Sequence, residues 1–280
     1  MDSDRTSVNA LFSEDLLEFL ASGKSSVAYG IDDERVLKDF HDRELIDVER
    51  RVYIRLGLHP NIPKYLGSVG DGILLERGQV LRKILQQQGA DLISVERKVQ
   101  WLTQAAQGLQ YIHDNNIIHA DVGCHNMILT RQGELKIIDF EGSSIDGGPA
   151  DSYYEWFSYR RPPSEPSVGT DIFAFGCAVY ETITGRPPYH ELESSEDSRK
   201  LIHDRYDAGI FPDVASLPLG ALMQKCWHND FTSMNEVVQE IRVFGQLSLP
   251  EQIRSLIVRA AAMFTSSCIS LNNRKRPNLP

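Results

Sequence analysis

Three side chains in the stretch IIHADVGCHNMILTRQGELKIIDFEG, residues 117–142, have types and spacing that could do chemistry: Asp121, Asn126 and Asp139. The run MILT, the polar turn RQGE and the apolar run LKIIDF read as strand, turn and strand. Such a hairpin presents Asn126 where the chain comes in and Asp139 where it leaves, on one edge. Both offer hard oxygen atoms of the kind magnesium prefers, alongside phosphate oxygens. Asp121 precedes Asn126 by five positions in an irregular loop, where a carboxylate can face a substrate hydroxyl instead of a metal. The chemistry this layout suits is phosphoryl transfer.

Such a site also needs a cation and an element to aim it. RVLKDF places Lys38 inside an apolar, strand-like run, and a lysine there is costly to bury unless paired. Downstream, DVERRVYIRLGLHPNI repeats Val48, Val52 and Leu56 every four residues, a helical stripe that leaves Glu49 beside the core-facing edge. Glu49 is the natural partner for Lys38, and Glu44, on the same helix, is the rival.

HADVGCHN resembles the H-R-D-L-x-x-x-N catalytic loop of eukaryotic-type protein kinases, and DFEG resembles the D-F-G magnesium motif that follows it. The order of Lys38, Glu49, Asp121, Asn126, Asp139 and Asp171 along the chain, with HPNI at 59–62 and GRPPY at 185–189, carries the resemblance across residues 15 to about 243. It implies an α+β bilobal fold, with a small β-rich N-lobe holding one helix and a larger, mainly helical C-lobe. The expected division is a flexible stretch at 1–14, an N-lobe at 15–76, a C-lobe at 77–244 and a partly disordered extension at 245–280.

The resemblance also assigns roles. Lys38 would contact ATP phosphates and Glu49 would position it, the spacing to Leu56 and HPNI favouring Glu49 over Glu44. Leu20, Gly23, Ala28 and Leu75 would line the nucleotide, Leu75 at the back of the adenine pocket. Glu76, Arg77 and Gly78 would offer backbone hydrogen bonds to the adenine edge. Asn126 and Asp139 would hold Mg2+, and Asp121 would orient the attacking hydroxyl and take its proton. Asp171, at the head of GTDIFAFGCAVYETITGRPPY, would brace the catalytic-loop backbone or cap its own helix, two roles that can coexist. Ser94 is expected to cap an earlier helix whose Val99, Leu102, Ala106, Leu109 and Ile112 form one apolar face.

Departures from the family pattern bear on activity. In the phosphate lid, with Leu20 as its first residue, Ala21, Gly23 and Ser26 stand at the three glycine positions, so one glycine survives where backbone amides must approach phosphates closely. Ala120 replaces the arginine that holds a phosphorylated activation loop, so activation of that kind is expected to be absent. Gly123 replaces the catalytic-loop lysine, a loss on the order of 100- to 1000-fold in rate. Glu141 replaces the glycine of D-F-G and either competes for magnesium or points to solvent. YRRPP at 159–163 lacks the glutamate of the family's A-P-E stretch, and KCWHNDFTSMNEV lacks the arginine that would pair with it, so neither charge is stranded. The GKS at 23–25 imitates a Walker A loop, but Glu18 stands where its first glycine is required, and the following VAYGIDDERVLK reads as a hairpin instead of a phosphate-cradling helix.

Composition narrows the classes. At 280 residues and 41% hydrophobic the chain can bury a substantial core. A net charge of −10 speaks against nucleic acid and anionic membranes as partners. Cys124, Cys177, Cys226 and Cys268 are scattered without CxxC spacing, so neither zinc nor a disulfide framework is expected. IFAFGCAVY is too short to span a membrane and an arginine interrupts LIVRAAAMF. MDSDRTSVNALF lacks the features of a signal peptide, and the expectation is a cytoplasmic monomer acting on a protein substrate. Three functions stay open: an ATP- and magnesium-dependent protein kinase acting on serine or threonine, a pseudokinase or nucleotide-binding scaffold, and a small-molecule phosphotransferase of the aminoglycoside type.

Overall fold

A computed structural model describes residues 17–23, 25–41, 43–151, 154–159, 165–195 and 197–247. The expected frayed start at 1–14, Lys24, the core of YRRPP, Cys268 and the extension beyond 247 lie outside the described residues. Five strands come first or flank the first helix: β1 (Glu18–Ser22), β2 (Ser26–Gly30), β3 (Arg35–Phe40), then helix α1 (Arg43–Leu56), β4 (Tyr65–Val69) and β5 (Gly72–Glu76). They form one antiparallel sheet in the order β1-β2-β3-β5-β4. The β1-β2 hairpin is where a P-loop would need a helix, which excludes that reading.

The register of this sheet places chemistry. Ala28 on β2 lies opposite Lys38 on β3, and Lys38 lies opposite Ile73 on β5. Helix α1 packs on the same strands with Ile46, Val52, Tyr53 and Leu56 buried, the face expected from the four-residue stripe. Glu49 is fully buried on that face, whereas Glu44 is exposed.

After β5 the chain becomes mainly helical: β6 (Gln79–Val80), α2 (Leu81–Leu85), α3 (Val95–Asp114), β7 (Ile117–Ile118), β8 (Met127–Leu129), β9 (Leu135–Ile137), β10 (Ser144–Ile145), α4 (Val168–Thr184), α5 (Ser198–Asp207), α6 (Gly220–His228) and α7 (Met234–Leu247). The chain divides into a compact unit ending at Ile241 and a second beginning at Arg242, of which only the end of α7 is described. The Ser94 hydroxyl accepts from the Arg97 amide at 3.3 Å and starts α3, whose Val99, Leu102, Ala106, Leu109 and Ile112 are all buried. Helix α4 is buried nearly all round, begins on a Ser167–Thr170 capping box and stops at Gly185 with φ of 82°. Ser167 therefore does the capping, and Asp171 is left for another task.

β8 and β9 pair Met127 with Ile137 around the expected turn. HPNI supports this hairpin from outside: the buried Asn61 donates its side-chain amide to the Leu135 carbonyl at 3.0 Å and accepts the Ile137 amide on its own carbonyl at 2.9 Å. Cys124, Cys177 and Cys226 are buried and unpaired. Among the described residues no helix is long and apolar enough to cross a membrane.

Candidate active site

Lys38 emerges from β3 toward three carboxylates. Its Nζ lies 2.6 Å from Glu49 Oε2 and 3.0 Å from Glu141 Oε2, and it also pairs with Asp139. Burial works against its charge, but Asp139, Glu49 and Glu141 outweigh it and hold the ammonium well above its ordinary pKa. Glu49 is pushed the other way, up to about 7, first by burial and then by the crowding of Asp139 and Glu141, with Lys38 opposing. Its Oε1 is buried without a hydrogen-bond partner, so Lys38, on Oε2, is the group that supports its charge.

Asp139 ends the hairpin in the left-handed region, with φ of 73°. An aspartate tolerates that conformation at some cost, and such strain concentrates at functional sites. The next residue, Phe140, is fully buried between the catalytic loop and α1: its ring centroid lies 5.2 Å from Tyr53 and 5.2 Å from His119. Glu49 and Tyr53 share one face of α1, so the packing of Phe140 and the Lys38–Glu49 pair depend on a single placement of that helix.

The catalytic loop is held from beneath by Asp171. Its carboxylate accepts the His119 amide at 2.9 Å and the Ala120 amide at 3.1 Å, contacts His113 Nε2 at 2.8 Å and accepts the Tyr154 hydroxyl at 2.7 Å. Burial raises the pKa of this group, but His113, His119 and Tyr154 win and keep it below the usual carboxylate value. These bonds hold the loop bent at Ala120, whose φ is 66°, immediately before Asp121.

Asp121 then has two unlike oxygens. Oδ2 accepts from Asn126 Nδ2 at 2.9 Å and lies 3.2 Å from His125 Nε2, while Oδ1 has no hydrogen-bond partner. Asn126 also donates Nδ2 to the Asp121 carbonyl at 2.9 Å. Both of its bonds are made by nitrogen, and its amide oxygen is the atom suited to a hard cation.

The remaining expected residues lie along the sheet and its exit. Leu20 sits in β1, Gly23 in the turn after it with its amide on the Ser26 carbonyl at 2.8 Å, and Ala28 in β2. Leu75 is buried near the end of β5. Glu76 and Arg77 give their amides to the Lys64 and Glu34 carbonyls, at 3.0 and 2.8 Å, so those two donors are engaged within the protein. Gly78 is packed so closely that a Cβ would lie 2.7 Å from the Leu129 carbonyl oxygen, which makes glycine obligatory there.

Several participants were not legible as such. Ser25 and Glu141 hydrogen-bond each other, tying the turn after β1 to the residue after Phe140. Arg82 on α2 makes a two-pronged bond to Glu155 at 2.6 and 2.7 Å and a second to Glu181 on α4 at 2.5 and 2.8 Å. Glu155 also lies 3.0 Å from His125 Nδ1, so this ladder of charges ends on the side chain beside Asp121. Glu181 within the otherwise apolar α4 was the one sequence signal of it, because a buried carboxylate demands a partner.

The donor set fits a divalent magnesium ion. Carboxylate oxygens of Glu49, Asp139 and Glu141 lie within 4.8 Å of one another against the single Lys38 cation, leaving a surplus of negative charge on oxygen ligands only.

Residues 38–242 match the family described as protein tyrosine and serine/threonine kinase, and the chain belongs to that family. Among curated relatives, it is 30% identical over 186 residues to the cytokinesis protein sepH of Emericella nidulans, covering 61% of this chain and 13% of that one. It is 36% identical over 155 residues to human mitogen-activated protein kinase kinase kinase 6, covering 49% and 12%. With mouse serine/threonine-protein kinase Nek4 the identity is 30% over 185 residues, covering 59% and 22%. The match thus spans less than a quarter of each relative's length. The β-rich first part and helical second part are those of the bilobal kinase fold.

Proposed function

We propose that the chain transfers the γ-phosphate of ATP to serine or threonine hydroxyls of protein substrates, at a reduced rate. The observation that carries this reading is the asymmetry of Asp121: Oδ2 is fixed by Asn126 and His125, while Oδ1, buried in this structure, has no hydrogen-bond partner and keeps an unused acceptor for a hydroxyl that reaches it. Lys38, already paired with Glu49, would bind the phosphates, and Leu20, Gly23, Ala28, Leu75, Glu76 and Gly78 would surround the nucleotide. Asn126 and Asp139 would hold magnesium, which when bound neutralises charge on the phosphates. Asp121 would orient the hydroxyl and draw off its proton as the oxygen attacks phosphorus. The kinase names of the relatives support protein hydroxyls over small molecules, and Nek4 and its like support serine or threonine over tyrosine.

A radiolabelled magnesium-ATP assay of wild type beside Asp121→Asn tests the proposal. Weak transfer that the substitution abolishes is expected; equal signals from the two proteins would overturn it. One observation favours the scaffold reading, the placement of Glu141 on both Lys38 and Ser25, where it competes with phosphates. A wild-type protein whose melting temperature ignores magnesium-ATP would favour that second reading.

A further inference from the structure

Gly123 is not demanded by its backbone. Its φ of −176° and ψ of 165° are extended values any residue adopts. What forbids a side chain there is His125, because a Cβ on residue 123 would lie 2.6 Å from both Cε1 and Nδ1 of the imidazole and 3.3 Å from Glu155 Oε2. The ring occupies the space in which a side chain at 123 would begin. The bare position 123 and the ring at position 125 therefore go together in this loop.

The ring is wedged and aimed. Nε2 lies 3.2 Å from Asp121 Oδ2, and Nδ1 lies 3.0 Å from Glu155 Oε2 as an ionic approach without hydrogen-bond alignment. Glu155 cannot drift, since Arg82 grips both its oxygens and is itself gripped by Glu181, whose side chain is 2% exposed on α4. On the other side of Asp121, Asn126 divides one amide group between the Asp121 carbonyl and Oδ2. His125 is thus the second, independent hold on Oδ2.

We propose that His125 is the positioning residue of the catalytic carboxylate, taking over from position 125 a support that no side chain at position 123 can give in this loop. By holding Oδ2 it fixes the rotation of the carboxylate, and with it the position of the buried, unpartnered Oδ1. The inference rests on the phosphotransfer reading for its kinetic part but not for its geometric part.

The test has both parts. A melting cycle compares Gly123→Ala in the wild-type and His125→Ala backgrounds. The expected loss is roughly 3–10 °C in the first and under about 2 °C in the second. Equal losses in both would show that the ring does not own the space, and would overturn the proposal. Kinetically, His125→Ala should lower kcat on the order of 10- to 100-fold, with KM for ATP within about twofold of wild type, because the lost hold acts on the carboxylate and not on the nucleotide. His125→Gln, which keeps a donor, should recover most of that loss. Gly123→Lys combined with His125→Ala should also regain about tenfold over His125→Ala alone. A kcat within about twofold of wild type in His125→Ala refutes the positioning role while the phosphotransfer reading survives. A wild type lacking transfer sensitive to Asp121→Asn overturns both.

Discussion

Replacing Glu141 by glutamine should tighten ATP binding, and its size follows from what the carboxylate holds. Glu141 Oε2 lies 3.0 Å from Lys38 Nζ, with side-chain exposures of 21% and 14%, and its other oxygen accepts the Ser25 hydroxyl. A phosphate that takes Lys38 must displace this carboxylate. The gross attraction of two charges 3.0 Å apart at an effective dielectric constant of 20 is about 5–6 kcal/mol. Lys38 keeps Asp139 and Glu49, Glu141 Oε2 makes no aligned hydrogen bond to it, and the released groups regain water, so the net cost of displacing this partly buried ion pair is about 1.5–3 kcal/mol, roughly a quarter to a half of the gross value. At 1.4 kcal/mol per decade, Glu141→Gln should strengthen magnesium-ATP binding roughly 10- to 100-fold.

Isothermal titration of wild type, Glu141→Gln and Ser25→Ala with magnesium-ATP decides the matter. Ser25→Ala frees the turn after β1 but leaves the charge on Lys38, so its gain should be smaller, under about fivefold. Unchanged affinity in Glu141→Gln would mean the carboxylate swings away at no cost. Weaker binding would mean that it serves the nucleotide-bound state, as a metal ligand or otherwise. Either result refutes the competition argument.

Two further outcomes concern the ladder on Arg82. Arg82→Met strands Glu181 and Glu155, which should cost about 2–4 kcal/mol and lower the melting temperature by roughly 5–15 °C, and adding Glu181→Leu should restore at least half of it, since only Glu155, which keeps His125, then lacks the guanidinium. Glu155 is raised by burial but held net at about 2 by Arg82 and His125, against an ordinary value of 4.5. Its folded pKa lies below its unfolded one, so its stabilisation is complete above about pH 4.5 and is lost as pH falls toward 2; the span of about 2.5 units corresponds to roughly 3 kcal/mol. Melting scans from pH 5 to pH 2.5 should fall less steeply for Glu155→Gln than for wild type, and parallel slopes would show that the ladder does not hold its charge.

The residues legible in the sequence share a local signature. Lys38 stands out because a charge interrupts an apolar strand, Glu49 because a four-residue stripe defines the face it borders, and Asn126 and Asp139 because a turn brackets them with two short apolar runs. Long-range placement was not legible. Arg82 and Glu155 lie on a short helix and a loop and each reads as an ordinary charged residue, while Glu181 on a buried helix signals that a partner is needed without saying which. Glu141 had two open directions, and only the fold turns it onto Lys38 and Ser25. The hinge carries the same limit: whether an amide is available depends on distant carbonyls, and those of Lys64 and Glu34 take the Glu76 and Arg77 donors. The division of labour between Ser167 and Asp171 likewise needed three dimensions, since both lie where a cap could form.

The departures from the family pattern are answered by neighbours, and this bears on whether they record decay. Drift that removes a lysine or an arginine from a buried site leaves its partners stranded, at several kcal/mol each. Here the opposite holds at Ala120, Gly123 and Glu141. Ala120 still gives its amide to Asp171, so the loop keeps its bend without an arginine side chain. Gly123 makes room for an imidazole that contacts the very carboxylate its missing side chain would have neighboured. Glu141 meets an ammonium and a hydroxyl, and Glu155, in the segment the absent arginine would have anchored, is anchored by Arg82. Compensation of this kind costs nothing to lose if the site has no task. Its presence around Asp121, whose carboxylate is held through Oδ2 while Oδ1 is buried without a partner, is what the proposed transfer requires of this loop.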